Sequence, residues 1–168
     1  LSLLGEKASI GVEVRLLLDY VGSFELDKQK INVLKEKGVK FARSHAPRFP
    51  YFFYTLQARN HRKITVIDGK IGYLGGFNIG KEYIGKDPKF GYWRDFHLKL
   101  TGEGVADLQQ QFLRDWFDST AENYLEETRY FPNLEQGKSN HTFISTYGKH
   151  LDEHFLSFIK EAKQEIII

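Results

Sequence analysis

Apolar runs and helically spaced segments alternate along the first forty residues of the chain. The tail of a helix is predicted over Leu1 to Ala8, and the apolar run from Gly11 to Asp19 predicts a buried strand. A helix is predicted from Asp27 to Lys37, with Gly38 as its stop, and a short second strand over Val39 to Ala42. A helix between two strands is typical of an α/β fold. The apolar side of this helix is predicted to carry Ile31, Val33 and Leu34.

Two β-rich runs in the middle of the chain are joined by a tight turn. They cover Ile64 to Ile67 and Ile71 to Tyr73, and the turn is Asp68-Gly69. Side chains two residues apart share one face of a strand, so His61 and Lys63 are expected to point the same way and meet one ligand. Asp68 has the opposite parity and is expected to brace the structure at the turn.

The pattern after the hairpin predicts further strands and helices. A strand is expected over Tyr92 to Leu100, and an amphipathic helix from Gly104 to Ser119 packs on the sheet. The polar stretch from Ala121 to Asn140 is typical of a connection. Beyond it, a strand is expected at His141 to Tyr147, a helix at His150 to Lys163 and the start of a strand at Glu165. The core-facing stripe of the longer helix is predicted to be Val105, Leu108, Phe112, Leu113, Trp116 and Phe117.

Composition narrows these expectations. A chain of 168 residues with 41% hydrophobic residues can bury a substantial core. The absence of cysteine excludes disulfides and cysteine-ligated metals. Methionine is also absent, even at position 1, so we expect the chain to be part of a longer protein. No signal peptide and no apolar stretch of about 20 residues is present. The fragment itself is therefore expected to be soluble, with any membrane anchor elsewhere in the parent.

The net charge of +2 is small, but the charges are unevenly distributed. Basic residues cluster ahead of and within the hairpin, where aromatic residues are interleaved with them. This arrangement would suit an anionic lipid surface or single-stranded nucleic acid, and it equally fits buried aromatic residues beside solvated charges. The residues are Lys35, Lys37, Lys40, Arg43, Arg48, Arg59, Arg62 and Lys63, with Phe49, Tyr51, Phe52, Phe53 and Tyr54.

The hairpin carries residue types suited to phosphoester chemistry. An imidazole can attack phosphorus or carry a proton, while an ammonium offsets charge on the phosphate oxygens, so His61 and Lys63 need no metal or other cofactor. Asn78 can add a neutral donor, and Gly75-Gly76 lets the backbone approach a phosphate closely. The alternative is a surface hairpin with an ordinary histidine and lysine. His97, on the next predicted strand, is expected to be packed or solvent-facing.

His61, Lys63 and Asp68 spell H-x-K-x4-D, and the glycine pair with Asn78 follows at a short distance. This pattern resembles the signature of the phospholipase D superfamily. Three flanking runs resemble bacterial cardiolipin synthases more narrowly, with this chain as the first of two repeats. The resemblance implies a phospholipase D-like α/β fold, in which a central, mostly β mixed sheet is flanked by helices. The three runs are Arg59 to Ile64, Gly75 to Tyr83 and Tyr92 to Asp95.

The resemblance also implies a role for each residue of the site. His61 would be one of two catalytic histidines, the second coming from another copy of the motif, and one of the two forms a phosphatidyl-histidine intermediate. Many members have serine where Gly76 stands, so a hydroxyl contact is missing here. The implied phosphate ligands are Lys63 and Asn78, the brace is Asp68, and the carboxylate that orients the histidine ring is Asp95. The alternative for Asp95 is an ion pair with Arg94 or a charge at a strand edge.

The implied function is transfer of a phosphatidyl group from one phosphatidylglycerol to another, which makes cardiolipin and releases glycerol. The expected partners are phosphatidylglycerol, an anionic membrane surface, and either a second phospholipase D-like repeat or a dimer mate; no nucleic acid is expected. The parent would act at the cytoplasmic side of a bacterial cell membrane. Rival functions are a phospholipase D-type phosphodiesterase or nuclease, and an inactive lipid-binding half.

The expected domain organisation follows from the same resemblance. A first phospholipase D-like domain is expected over residues 1–120, a connection over 121–148, and the start of a second repeat over 149–168. One motif supplies one histidine, so the fragment is expected to be inactive alone unless it dimerises through the motif face.

Overall fold

The structure is a computed structural model that describes residues 1–46, 50, 59–80, 82–139, 141–146 and 151–167. The chain divides into two compact units, Leu1–Lys138 and Ser139–Ile168. The second unit contains helix α4 (Leu151–Glu161). The elements of the first unit are α1 (Ser2–Ser9), β1 (Arg15–Asp19), α2 (Lys28–Glu36), β2 (Lys40–Ser44), β3 (Ile64–Ile67), β4 (Ile71–Gly75), a 3₁₀ helix (Glu82–Ile84), β5 (His97–Thr101), α3 (Val105–Thr120) and a second 3₁₀ helix (Thr128–Tyr130).

Strands β1 and β2 form a parallel pair connected through α2, so the predicted strand–helix–strand unit is confirmed. The Asp27 carboxylate accepts a hydrogen bond from the Gln29 N–H at 2.9 Å and caps the start of α2. Gly38 follows the helix with φ +95°, a conformation that glycine adopts without steric cost. The predicted start and stop of this helix are therefore confirmed.

A small core lies between α2 and the parallel strands. Its buried members are Leu16, Ile31, Leu34 and Val39. Val33 was predicted to face this core, but it is 49% exposed. That prediction is wrong because two helical steps rotate a side chain by about 200°, which places Val33 opposite Ile31.

Strands β3, β4 and β5 form a separate antiparallel sheet. Helix α3 packs against β2, β3 and β4, and so contacts both sheets. It comes close to the antiparallel sheet because Gly72 has no side chain: a methyl group there would lie 2.7 Å from Leu108 Cδ1. Most of the predicted stripe of α3 is confirmed, but Phe117 is 40% exposed. The buried apolar residues of the helix are Val105, Leu108, Leu113 and Trp116.

The α/β class and the mixed strand directions agree with the sequence, but one continuous central sheet does not form among the described residues. The strand predicted over Tyr92 to Leu100 begins only at His97. Before it, the Asp95 carboxylate accepts the Phe96 N–H at 2.7 Å, a local side-chain contact that replaces regular strand pairing.

Two strands predicted in the second unit do not form among its described residues. Residues 141–146 and 165–167 have no strand conformation, and neither segment pairs with a strand in the described part of the chain. The helix predicted between them is confirmed as α4, with a later start and an earlier end.

The first unit continues beyond residue 120, where the first domain was predicted to end. Arg15 on β1 holds the start of the predicted connection: its guanidinium carbon lies 4.1 Å from the Tyr124 ring centroid and 5.1 Å from that of Tyr130. Nη2 of Arg15 also donates to the Tyr130 hydroxyl at 2.9 Å. The predicted division into repeats stays a prediction.

No helix in the described part of the chain is long and apolar enough to cross a bilayer. Several predictions fall outside the described residues. These are the positions of Arg48, Phe49, Tyr51, Phe52, Phe53, Tyr54, Tyr147, His150 and Ile168.

Candidate active site

His61 and Lys63 lie immediately before β3, at the open end of the hairpin. His61 is exposed and Lys63 is half-buried. Lys63 Nζ donates a hydrogen bond of 2.6 Å to the backbone carbonyl of His61, which holds the ammonium beside the histidine's own peptide group. The Lys63 ammonium therefore lies beside the His61 backbone, and a ligand shared by the two side chains stays a prediction. Within the described residues the His61 ring has no hydrogen-bond partner, so its nitrogens remain open to a ligand.

Asp68 lies at the other end of β3 from His61. The strand between them has four residues, which extend over about 13 Å. Asp68 is exposed and adopts φ +54°, beside Gly69 at φ +64°, and the Lys70 N–H donates to the Ile67 carbonyl at 2.9 Å. Aspartate tolerates this left-handed conformation better than most residues. Asp68 thus shapes the turn, and among the described residues it does not contact the His–Lys pair.

Gly69, beside it, is buried by the second 3₁₀ helix and its following proline. A methyl group on Gly69 would lie 2.6 Å from Pro132 Cδ and 2.7 Å from the Tyr130 carbonyl oxygen. The turn of the hairpin is thereby held against the segment that follows residue 120.

Asp95 lies on the strand β5 side of the sheet, against the glycine pair. Its carboxylate accepts the Phe96 N–H at 2.7 Å and Trp93 Nε1–H at 3.2 Å. A methyl group on Gly76 would overlap this carboxylate. Within the described residues Asp95 accepts no hydrogen bond from the His61 ring, which was the expected contact, and forms no ion pair with Arg94.

Asn78 is exposed just beyond β4, where aromatic residues surround it. Its Nδ2 donates to the Tyr83 hydroxyl at 2.5 Å. The Tyr83 ring lies 5.7 Å from Phe77 and 4.9 Å from Trp93, centroid to centroid. The amide is therefore held by an aromatic cluster and lies at the same end of the sheet as Lys63.

His97 is solvent-exposed, as expected, and the register between β4 and β5 also places it close to the motif. It is paired with Gly75, whose N–H donates to the Lys63 carbonyl at 3.4 Å. Paired residues of an antiparallel sheet share a face, so His97 and Lys63 lie on one face with only a glycine between them. A methyl group on Gly75 would lie 2.6 Å from His97 Nδ1, so the imidazole leans over the glycine. The pairing of Gly75 with His97 depends on the register between β4 and β5, which the alternation of apolar and polar positions does not specify.

Two buried or half-buried carboxylates near the motif were missed by the sequence analysis. Asp19 ends β1 and accepts Asn60 N–H at 2.9 Å and Arg59 Nε–H at 2.8 Å. Burial raises the pKa of Asp19, but the N–H groups of Gly22 and Asn60 and the Arg59 guanidinium outweigh it and hold the pKa below its usual value.

Asp115 on α3 is 7% exposed, and it contacts the residues on either side of His61. It accepts hydrogen bonds from Arg62 Nη1 at 3.1 and 3.3 Å and from Asn60 Nδ2 at 3.2 Å. The signal in the sequence was a charge on the apolar side of a helix, three residues after Phe112. Asp19, Asn60, Arg62 and Asp115 line a cavity of about 50 Å³ with Leu17, Ile64 and Phe112.

The described residues contain no group of three or more histidine and carboxylate side chains arranged to hold a metal ion. What the site offers is an open imidazole, an adjacent ammonium, an amide donor and a carboxylate against a glycine pair. These groups can hold a phosphodiester by charge and hydrogen bonds, while the imidazole attacks the phosphorus.

An α/β domain with His-x-Lys at the open end of a hairpin, aspartate at its turn and Gly-Gly-x-Asn on the return strand is a phospholipase D-like domain. Comparison with known families agrees: residues 1–116 match the model described as "Cardiolipin synthase, PLD-like domain". The chain belongs to this family.

Curated relatives are similar over most of the chain. It is 46% identical over 167 residues to the minor cardiolipin synthase ClsB of Bacillus subtilis, covering 99% of this chain and 42% of that protein. It is 47% identical over 138 residues to the cardiolipin synthase of Halalkalibacterium halodurans, covering 82% and 27%. For the cardiolipin synthase of Staphylococcus aureus the identity is 40% over 171 residues, covering 98% and 35%.

The chain thus spans less than half the length of these relatives. No solved structure matches it.

Proposed function

We propose that this chain carries one of the two catalytic motifs of a bacterial cardiolipin synthase. The observation that carries the proposal is the exposed His61 ring beside an ammonium fixed on its own peptide group at 2.6 Å. A neutral imidazole attacks a phosphodiester most readily where a cation offsets the charge that grows on the phosphate oxygens. The relatives named as cardiolipin synthases support the choice of lipid.

The proposed reaction has two displacements at one phosphorus. In the first, an imidazole nitrogen forms a P–N bond with phosphatidylglycerol, the P–O bond to the terminal glycerol breaks, and a general acid gives the departing alkoxide its proton. In the second, a hydroxyl of another phosphatidylglycerol loses its proton to the same group and forms a new P–O bond as the P–N bond breaks. The products are cardiolipin and glycerol.

The roles of the remaining residues are proposals of the same kind. Lys63 and Asn78 bind the phosphate oxygens, Asp95 orients the reacting ring during turnover, and Asp68 fixes the hairpin turn. The second histidine comes from another motif, in the rest of a longer protein or in a dimer mate. The complete enzyme works at an anionic membrane surface on the cytoplasmic side, where its lipid substrate is found.

The test uses the full-length protein that contains this chain, in vesicles of phosphatidylglycerol, with lipid products separated by thin-layer chromatography. Wild-type protein should produce cardiolipin and glycerol, and His61→Ala should lower the rate by about 10³-fold or more. His45→Asn is the matched control, because His45 is exposed and its φ of +55° is tolerated by asparagine.

Three outcomes separate the rival functions. Phosphatidic acid in place of cardiolipin would indicate a hydrolase that uses water as the acceptor. An unchanged rate in His61→Ala would remove the motif from the chemistry. If the wild type binds vesicles without forming product, and His61→Ala binds them equally well, the chain would be an inactive lipid-binding half-domain.

A further inference from the structure

The residues on both sides of His61 are tied to carboxylates that come from outside the hairpin. Asp19, at the end of β1, accepts the backbone N–H of Asn60 and the Nε–H of Arg59. Asp115, on α3, accepts from the Asn60 amide and the Arg62 guanidinium. The anchored residues thus immediately precede and follow the histidine in sequence.

These contacts are sheltered from solvent. The Asp19 and Asp115 side chains are 11% and 8% exposed, and Arg62 is 22% exposed. Gln111, one turn earlier on α3, donates to Asp115 Oδ1 at 2.8 Å and so fixes the carboxylate's orientation. Charge-assisted hydrogen bonds in a half-buried setting are stronger and less screened than surface ion pairs.

The anchors act on one side of the chain only. Asn60 and Arg62 are half-buried and bind Asp115 on α3, whereas His61, which lies between them in sequence, is exposed to solvent. Asn60 is held twice, through its backbone N–H by Asp19 and through its amide by Asp115. Its Oδ1 also accepts the Arg62 N–H at 3.0 Å, which closes a bridge across the histidine.

We propose that Asp19 and Asp115 are positioning residues for His61: they fix the backbone on both sides of it and so hold the imidazole where it meets the phosphorus. This inference rests on the proposed function and deepens it. Neither carboxylate touches the substrate. Their effect follows from geometry, because a displacement of about 1 Å in a reacting group can cost about 10²-fold in rate.

The first test is the variant Asp115→Asn in the full-length protein. The side chain keeps its size, while it loses its charge and half of its acceptor capacity. We expect kcat for cardiolipin formation to fall about 10- to 100-fold, with KM for phosphatidylglycerol changed by less than about 3-fold. Asp118→Asn is the matched control, because Asp118 is an exposed aspartate on the same helix; its kcat should be unchanged.

The second test reads the histidine directly in the 168-residue chain, labelled with ¹⁵N at histidine. The His61 imidazole signals, assigned by their loss in His61→Asn, should shift or broaden in Asp115→Asn and stay unchanged in Asp118→Asn. The His97 signals serve as an internal reference, because His97 lies on β5 and outside both anchors. A purely structural role, such as holding α3 against the sheet, would not single out His61.

If Asp115→Asn does not fold, Asn60→Ala replaces it, since this change cuts the amide link and leaves the carboxylate paired with Arg62. A folded variant with unchanged kcat and unchanged His61 signals would overturn the proposal. Wild-type protein that makes no cardiolipin, while His61 still shifts in Asp115→Asn, would refute the proposed function and leave the anchor in place.

Discussion

Arg15 and His61 are the centres of two polar clusters in the first compact unit, and the clusters are built in opposite ways. Arg15 is 7% exposed, lies against Tyr124 and Tyr130, and donates to Glu13 at 2.6 Å. His61 is exposed, and its neighbours rather than its own ring hold the hydrogen bonds. The partners of Arg15 enclose the charge, whereas the hydrogen bonds around His61 hold the backbone and leave the imidazole exposed.

The difference shows how to distinguish a structural cluster from a functional one. Burial lowers the pKa of Arg15, but the hydroxyls of Tyr124 and Tyr130 and the Glu13 carboxylate raise it above its usual value. The charge of Arg15 is thus stabilised by ring and oxygen contacts within its own cluster. A functional group needs the reverse arrangement, in which the surroundings are satisfied and the group itself is available.

The largest expected effect comes from breaking the enclosed cluster. Arg15→Met keeps much of the side-chain volume but removes the charge and its contacts with two tyrosine rings, and we expect a loss of about 2–3 kcal/mol in the free energy of unfolding. Urea denaturation measures it. Arg129→Met is the control: its side chain is 59% exposed at the rim of the same cluster, so it should cost much less than Arg15→Met. Equal losses in the two variants would mean that enclosure is not what makes Arg15 important.

In the candidate active site, the backbone at Gly76 lies directly against the Asp95 carboxylate. Gly76→Ala places a methyl group on the Asp95 carboxylate, and we expect kcat in the full-length protein to fall about 10- to 100-fold. The double variant Gly76→Ala with Asp95→Ala shows whether the loss in kcat comes from overlap between the added methyl group and the Asp95 carboxylate. Once Asp95 is shortened, the added methyl group should cost little more. Additive losses would show that the two residues act independently. Serine would meet the same carboxylate, which gives a physical reason for glycine at this position.

Asp19 makes the stability of the cluster around His61 depend on pH. Its folded pKa is lowered, so its stabilising contribution is present above the unfolded pKa of about 4 and is lost as pH falls through the folded value. Asp19→Asn should therefore reduce stability by about 1 kcal/mol at pH 7 and by less near pH 3. Denaturation curves at the two pH values measure this. A loss that is equal at both would mean that charge does not carry the contribution.

The smallest expected effect concerns His97. Because it shares a sheet face with Lys63 across Gly75, we expect His97→Ala to lower kcat about 3- to 10-fold, by removing one donor from the phosphate's surroundings. His97→Gln should recover part of the rate, since its amide can still donate. A rate that is unchanged in both variants would show that His97 does not contribute to the site.

The sequence alone specified helix α2 and the β-hairpin that carries the motif. Helical spacing with Asp27 and Gly38 at its ends specified α2, and the Asp68-Gly69 turn specified the hairpin that displays His61 and Lys63. These features depend on residues close in sequence, whose backbone preferences and alternation act before any tertiary contact forms.

Only the tertiary structure decided which distant residues surround the motif. Asp115 is a charge on the apolar side of an amphipathic helix, and Asp19 is the end of a strand, yet folding places both carboxylates around Asn60, 55 and 41 residues away in sequence. The same applies to Arg15 and Tyr130, which are separated by 115 residues. Such pairs depend on how sheets and helices pack, and a pattern of apolar and polar positions along the chain does not specify which charged residues will meet.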